Sequence, residues 1–210
     1  MKKRKFFTLL VCIITVANTL NAQSAFNIDA TQSYTSFKFT DAQGSELNKE
    51  YSGLLTGSYG ISYRYTTDFG LIIRPGLWMR NAGASLVYDN MNYSWKLQYA
   101  DARLGLGYVY KIKRINPYFI ASGYYSKLLR GIQVLNNEDF NITESGLLNK
   151  ADYGVLISPG IDLVFSEYIS GYIELNYLMG ICNLEKDEGQ TAKNFAYGAT
   201  LGVSFKITKQ

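Results

Sequence analysis

Residues 193–209 read KNFAYGATLGVSFKITK. Phe195, Tyr197, Ala199, Leu201, Val203, Phe205 and Ile207 fill the odd positions, and all are apolar. Between them stand Asn194, Ala196, Gly198, Thr200, Gly202, Ser204, Lys206 and Thr208, each small or polar. Successive side chains of a strand point to opposite faces, so this segment has one greasy face and one hydrophilic face. A helix would scatter the odd residues around its whole circumference. The greasy face carries aromatics toward both ends and no charge from Phe195 to Ile207. A tilted strand crosses a bilayer in about 9–11 residues. The stretch therefore predicts one stave of a membrane β-barrel.

The first residues read as a targeting segment, a signal peptide over 1–22 ahead of a barrel domain over 23–210. Lys2, Lys3, Arg4 and Lys5 form a basic start, an apolar run spans 6–17, and Ala22 offers a small residue at the cut. Cys12 lies inside the apolar run, with Ile13, Ile14 and Val16 beyond it, which argues against lipid attachment. Cleavage leaves Cys182 alone, so no intrachain disulfide is expected. It also removes four of the 21 basic residues, leaving 17 against 17 acidic ones. The mature chain is then neutral and has no basic stripe for nucleic acid. It holds no run of about 18 apolar residues, so a membrane helix is excluded. A secreted chain of this kind points to the outer membrane.

Further strands follow from the same period of two. The first, 32–40, places Thr35, Phe37 and Phe39 outward, with Gln32, Tyr34, Ser36 and Lys38 inward. The second, 54–66, sets Leu55, Tyr59, Ile61, Tyr63 and Tyr65 against Thr56, Ser58, Gly60, Ser62 and Arg64. The third, 69–80, turns Phe69, Leu71, Ile73, Leu77 and Met79 out and Arg74, Trp78 and Arg80 in. Pro75 lacks a ladder N–H, so a bulge beside Gly76 is expected there. The fourth, 93–112, changes phase: Trp95, Leu97 and Tyr99 are odd, while Ala102, Leu104, Leu106 and Tyr108 are even. An inserted residue near Ala100 would flip the faces, which predicts a β-bulge. The fifth, 117–129, alternates weakly because Tyr118, Phe119, Tyr124 and Tyr125 occupy both faces. The sixth, 152–165, and the seventh, 169–182, alternate clearly, with Asp162 and Glu174 inward. The fold class is thus all-β, an eight-stranded antiparallel up-and-down transmembrane barrel. Its connections alternate long and short, as in outer-membrane barrels with short periplasmic turns and longer outer loops.

The segments 71–77 (LIIRPGL), 97–108 (LQYADARLGLGY), 118–124 (YFIASGY) and 197–207 (YGATLGVSFKI) resemble the outer-membrane β-barrel family that includes PorT-type proteins. In architecture the chain is similar to the eight-stranded OmpA and OmpX barrels. The resemblance implies a fold and a location; the family's roles are diverse. Such barrels often end on an aromatic assembly signal; this chain departs from that by running five residues past Phe205, which leaves Phe205 or Ile207 in that role.

Histidine is absent, so a Ser-His dyad and a His-bearing metal site are both impossible. Cys182, without a His or second Cys, reads as packing rather than as a nucleophile. The Gly105-Leu106-Gly107 run lies in a strand with no following helix, so it is no phosphate cradle. An acidic loop around Glu185, Asp187 and Glu188 reads as solvated rather than as a cation site. The one notable constellation is a lumen charge network: Lys38, Arg64, Arg74 and Arg103 facing Asp101, Asp162 and Glu174. An eight-stranded barrel is just wide enough for side chains to fill, so these charges should pair with one another as a structural plug. A gated conduit for protons or small ions is the sharper alternative. Outward aromatics suit interfacial girdles: Tyr59, Tyr63, Tyr65, Trp95, Tyr99, Tyr108, Tyr110, Tyr153, Phe165, Tyr177, Tyr197 and Phe205. A soluble barrel with its aromatic faces around a ligand would invert inside and outside. The function expected is a non-enzymatic, monomeric outer-membrane barrel, without cofactor, metal or nucleic acid. Its lipid-anchored loops, 130–151 foremost, would serve binding, adhesion or envelope integrity. A PorT-like secretion or assembly role is the third alternative.

Overall fold

The computed structural model describes residues 22–41, 43–46, 51–88, 91–186 and 189–207. The expected signal peptide lies outside these residues apart from Ala22. Among the described residues the strands in chain order are β1 (Ala22–Thr40), β2 (Tyr51–Thr67), β3 (Leu71–Tyr88), β4 (Met91–Val109) and β5 (Ile115–Leu135). They continue with β6 (Glu138–Asn141), β7 (Ala151–Val164), β8 (Ile169–Gly180) and β9 (Thr191–Lys206). Eight of them form a closed antiparallel wall, each stave beside its sequence neighbour, with β1 against β9 completing the ring. The short β6 folds back on the far end of β5 inside the longest loop. Its turn is Asn136-Asn137, both at positive φ (48° and 72°), a conformation asparagine tolerates in two-residue hairpins.

The wall is inside-out relative to a protein dissolved in water. Leu55, Ile61, Leu77, Leu104, Leu175 and Leu201 are exposed on its outer face, whereas Asn27, Ser62, Arg74, Asp101, Ser158, Glu174 and Thr200 are buried within it. Around the seam the same sorting holds: Phe26 pairs with Phe205 and Ile28 with Val203 on the outside, Asn27 with Ser204 on the inside. Apolar outside and polar inside is the arrangement of a barrel whose solvent is lipid.

The staves are unequal. β1 to β5 run 17 to 21 residues, β7 and β8 only 14 and 12. Since about 9–11 residues span a bilayer, the long staves rise past the apolar band on the long-loop side. There the interior becomes apolar. Phe37, Ala82, Ala84, Leu97, Tyr99 and Leu128 from the staves cluster with Ile142 and Leu184 from the loops.

That upper cluster corrects several expectations. β1 starts earlier than residue 32 and keeps one parity throughout, so Asn27, Asp29, Thr35 and Phe37 face in and Phe26 and Ile28 face out. The faces expected for 32–40 are therefore exchanged. β4 shows no phase change: Leu97 (2% exposed) and Tyr99 (1%) share the inner face with Asp101. Its ladder with β3 is unbroken, and the irregularity beside Tyr99 lies in the β4–β5 ladder, where β5 carries the extra residue Leu129. Trp95 joins the inner cluster too, so Trp95 and Tyr99 leave the outer girdle. No bulge forms beside Gly76. The β2–β3 ladder is interrupted opposite Pro75 and resumes in the same register, while β3–β4 pairing runs straight through it. β5, weakly patterned in sequence, alternates strictly as far as Leu129, with Tyr118 and Tyr124 inside and Phe119 and Tyr125 outside.

Candidate functional site

Strand alternation sends four arginines and five carboxylates into the lumen, and burial requires each to find partners there. Nearest the short turns, Arg64 of β2 reaches across to Asp162 of β7 through two contacts, 2.9 Å and 2.8 Å. Its guanidinium lies 4.7 Å from the centre of the Tyr118 ring. Higher up, Arg74 of β3 forks onto Glu174 of β8, whose Oε1 also accepts the Tyr118 hydroxyl at 2.8 Å. Paired forks of this type fix geometry as well as charge.

The uppermost group has four charged members. Arg80 donates from Nε to Asp101 at 2.8 Å and from Nη2 to Asp152 at 3.0 Å, with the Ser126 hydroxyl at 3.1 Å. Arg103 donates to the same Asp101 oxygen at 2.8 Å and stacks over Trp78 at 4.6 Å. Asn194 donates to Asp152 at 2.7 Å. The Arg80 guanidinium is also sandwiched near the rings of Tyr99 (4.7 Å) and Tyr124 (5.3 Å).

Asp29 is held differently. It accepts from the Trp78 indole at 2.7 Å and the Tyr172 hydroxyl at 2.9 Å, both neutral donors. Its cross-strand neighbours on either side are glycines, Gly60 on β2 and Gly202 on β9. A Cβ at Gly60 would collide with the Trp78 ring, and one at Gly202 with the Tyr172 ring. Two missing side chains make the room in which two large rings converge on one carboxylate.

Of the residues expected in this network, Arg64, Arg74, Asp101, Arg103, Asp162 and Glu174 lie in the lumen. Lys38 does not. Because β1 keeps its odd residues inside, Lys38 stands on the outer face, 5.4 Å from the Phe195 ring and directly across from Lys193. Asp29, Arg80 and Asp152 were missing from the expected set, as were the hydroxyl and indole donors. Arg80 and Asp152 have the parity of inward neighbours, so the signal was present; Asp29 fell before the assumed start of β1.

Two small cavities lie beside these groups. A cavity of about 40 Å³ opens at the short-turn end beside Arg64, Lys111, Asp162 and Lys206. A second, about 20 Å³, lies near Ser58, Arg80 and Asn176. Cys182, just past β8, is half-buried and turned toward the carbonyls of Ala151 and Asn183. Burial, with the Asp152 charge nearby, pushes its thiol up from the ordinary value, which disfavours the thiolate. Asp187 and Glu188 lie outside the described residues, and among the described ones no group of His, Cys, Asp and Glu could hold a metal ion.

No family model and no curated protein matches the sequence. Among solved structures the chain is similar to Neisserial surface protein A, at 14% identity over 89% of this chain and 99% of that one, with a TM-score of 0.45. It is similar to the outer membrane protein OprG from Pseudomonas aeruginosa, at 11% identity over 89% and 95%, TM-score 0.48. It is also similar to Ail, the attachment invasion locus protein of Yersinia pestis, at 10% identity over 86% and 98%, TM-score 0.39. These are likenesses of architecture, and the PorT-type resemblance finds no support among them.

Proposed function

We propose that this chain is a non-enzymatic integral protein of the outer membrane, a sealed barrel that anchors its long loops at the cell surface. The supporting observation is the lumen itself. Three layers of Arg–carboxylate pairs cross it from wall to wall, and the cavities beside them, about 40 and 20 Å³, have room for no more than a few waters. A continuous aqueous path for ions would require those pairs to part, leaving buried charges without partners. The conduit alternative therefore has no supporting geometry, and a PorT-like secretion role has no carrying feature among the described residues. The apolar outer band, with Tyr63, Tyr108 and Phe205 near the short turns and Tyr125, Tyr153 and Tyr197 above, supports the membrane placement. The absence of histidine from the sequence removes the usual general base, which supports the non-enzymatic reading. Planar-bilayer recording of the folded barrel tests the plug: the membrane should stay electrically silent, and steady single-channel steps would refute it.

A further inference from the structure

The outward charges on the eight staves are all of one sign, while the lumen holds both. All five stave carboxylates, Asp29, Asp101, Asp152, Asp162 and Glu174, are buried in the lumen. The outward charges, Lys38, Lys96, Lys127, Arg130 and Lys193, are all basic, and all lie on the half of the wall nearer the long loops. Among the described residues no carboxylate comes within ion-pair distance of any of them.

Three of the five meet on β4 and β5, and there the outer surface is hollowed. Tyr59, Met79, Ala100 and Lys127 stand in one cross-strand row, with Ile61, Leu77, Ala102 and Tyr125 in the row below. Ala100 and Ala102 are short between longer neighbours, leaving an apolar groove of about 610 Å³ with Lys127 in its upper row. Above it on the same four staves, a second groove of about 460 Å³ is lined by Leu55, Asn81, Lys96, Gln98, Arg130 and Ile132. The surface thus passes from a greasy channel to a basic, hydrogen-bonding one at the level of the upper aromatics.

We infer that this paired groove is a binding site for one anionic phospholipid of the leaflet on the long-loop side. This rests on the membrane reading given above. An acyl chain lies along Ala100 and Ala102, and the headgroup phosphate sits among Lys127, Arg130 and Lys96, with the Gln98 amide available to donate to it. Basic side chains at the membrane surface attract anionic lipid, and long cationic side chains extend from apolar surface to reach headgroups.

The test reads lipid retention by native mass spectrometry of the folded barrel, released from bilayer discs of equal phosphatidylglycerol and phosphatidylcholine. Wild type should retain phosphatidylglycerol about a hundredfold over phosphatidylcholine, the scale set by three surface cations. The K96Q/K127Q/R130Q variant should lose that preference, whereas K111Q/K113Q, which removes two charges at the opposite end, should keep it. Ala100→Leu fills the groove without touching charge and should cut retention of the bound lipid several-fold. An unchanged preference in the triple variant, or full retention in Ala100→Leu, would overturn the site. Displacement of the lipid by millimolar inorganic phosphate would make it a free-anion site and overturn it too. A barrel that enters no bilayer at all would bring down the membrane reading, and the lipid site with it; a barrel that inserts but retains neither lipid preferentially would refute the site alone.

Discussion

The lower and upper parts of the barrel are built on the same staves with opposite chemistry. Along β4 the inward residues are Asp101 and Arg103 in the lower part, then Leu97 and Tyr99 above them. The outward residues change in the reverse sense, from Leu104 and Ala102 to Gln98 and Lys96. β1 does the same, from Asn27 and Asp29 inside to Phe37, and from Ile28 outside to Lys38. Parity stays constant in both. What changes is the medium beyond the wall: where lipid covers the outside, polar groups must be satisfied within, and where water covers it, the interior can be an ordinary apolar core.

The contrast can be broken most forcefully from inside the polar part. Arg80→Met deprives Asp152 of its arginine and Asp101 of one of two, and should cost about 3–5 kcal/mol in urea unfolding from lipid vesicles. A neutral result would mean that water already reaches these carboxylates. Next comes the outer face. Leu77→Arg in the apolar band should cost about 2–4 kcal/mol, while the same arginine at Leu55, outward on the upper wall, should cost only about 0–1. Equal costs at the two positions would erase the boundary between the parts.

Smaller effects sharpen it. Gly202→Val drives the Tyr172 ring off Asp29 and should destabilise by about 1–3 kcal/mol, visible in the same unfolding assay. Retained stability would show that Asp29 does not need its donors. Smallest is the outer lysine pair. Lys38 and Lys193 face each other directly across β1 and β9, so Lys193→Thr should raise stability by a few tenths of a kcal/mol, most clearly at low salt.

The sequence shows the period of two well and its sign poorly. On β2, β7, β8 and β9 the faces follow from alternation, since the apolar residues of the alternating set point out, and Leu156, Tyr172 and Leu178 are the large inward exceptions. β1 and β4 carry apolar residues on both faces at different heights. Phe37 reads as a lipid-facing residue until Asn27 and Asp29 fix the parity. Leu97 and Tyr99 suggest an inserted residue, whereas the strand simply leaves the membrane. β5 hides its pattern because Tyr118 and Tyr124 place rings among lumen side chains while their hydroxyls bond to Glu174 and Asp152. Pairing partners were less legible still. Which arginine meets which carboxylate depends on tilt and cross-barrel distance, and neither is written in a linear pattern.

A nitroxide scan along residues 195–205 of β9, in a Cys182→Ser background, measures the inversion directly. Collision with dissolved oxygen should peak at Leu201, Val203 and Phe205 and vanish at Thr200 and Ser204, with a water-soluble nickel chelate reaching neither set. Chelate access that peaks at Leu201 and Val203 would put water where lipid is required and contradict the barrel's placement in a membrane.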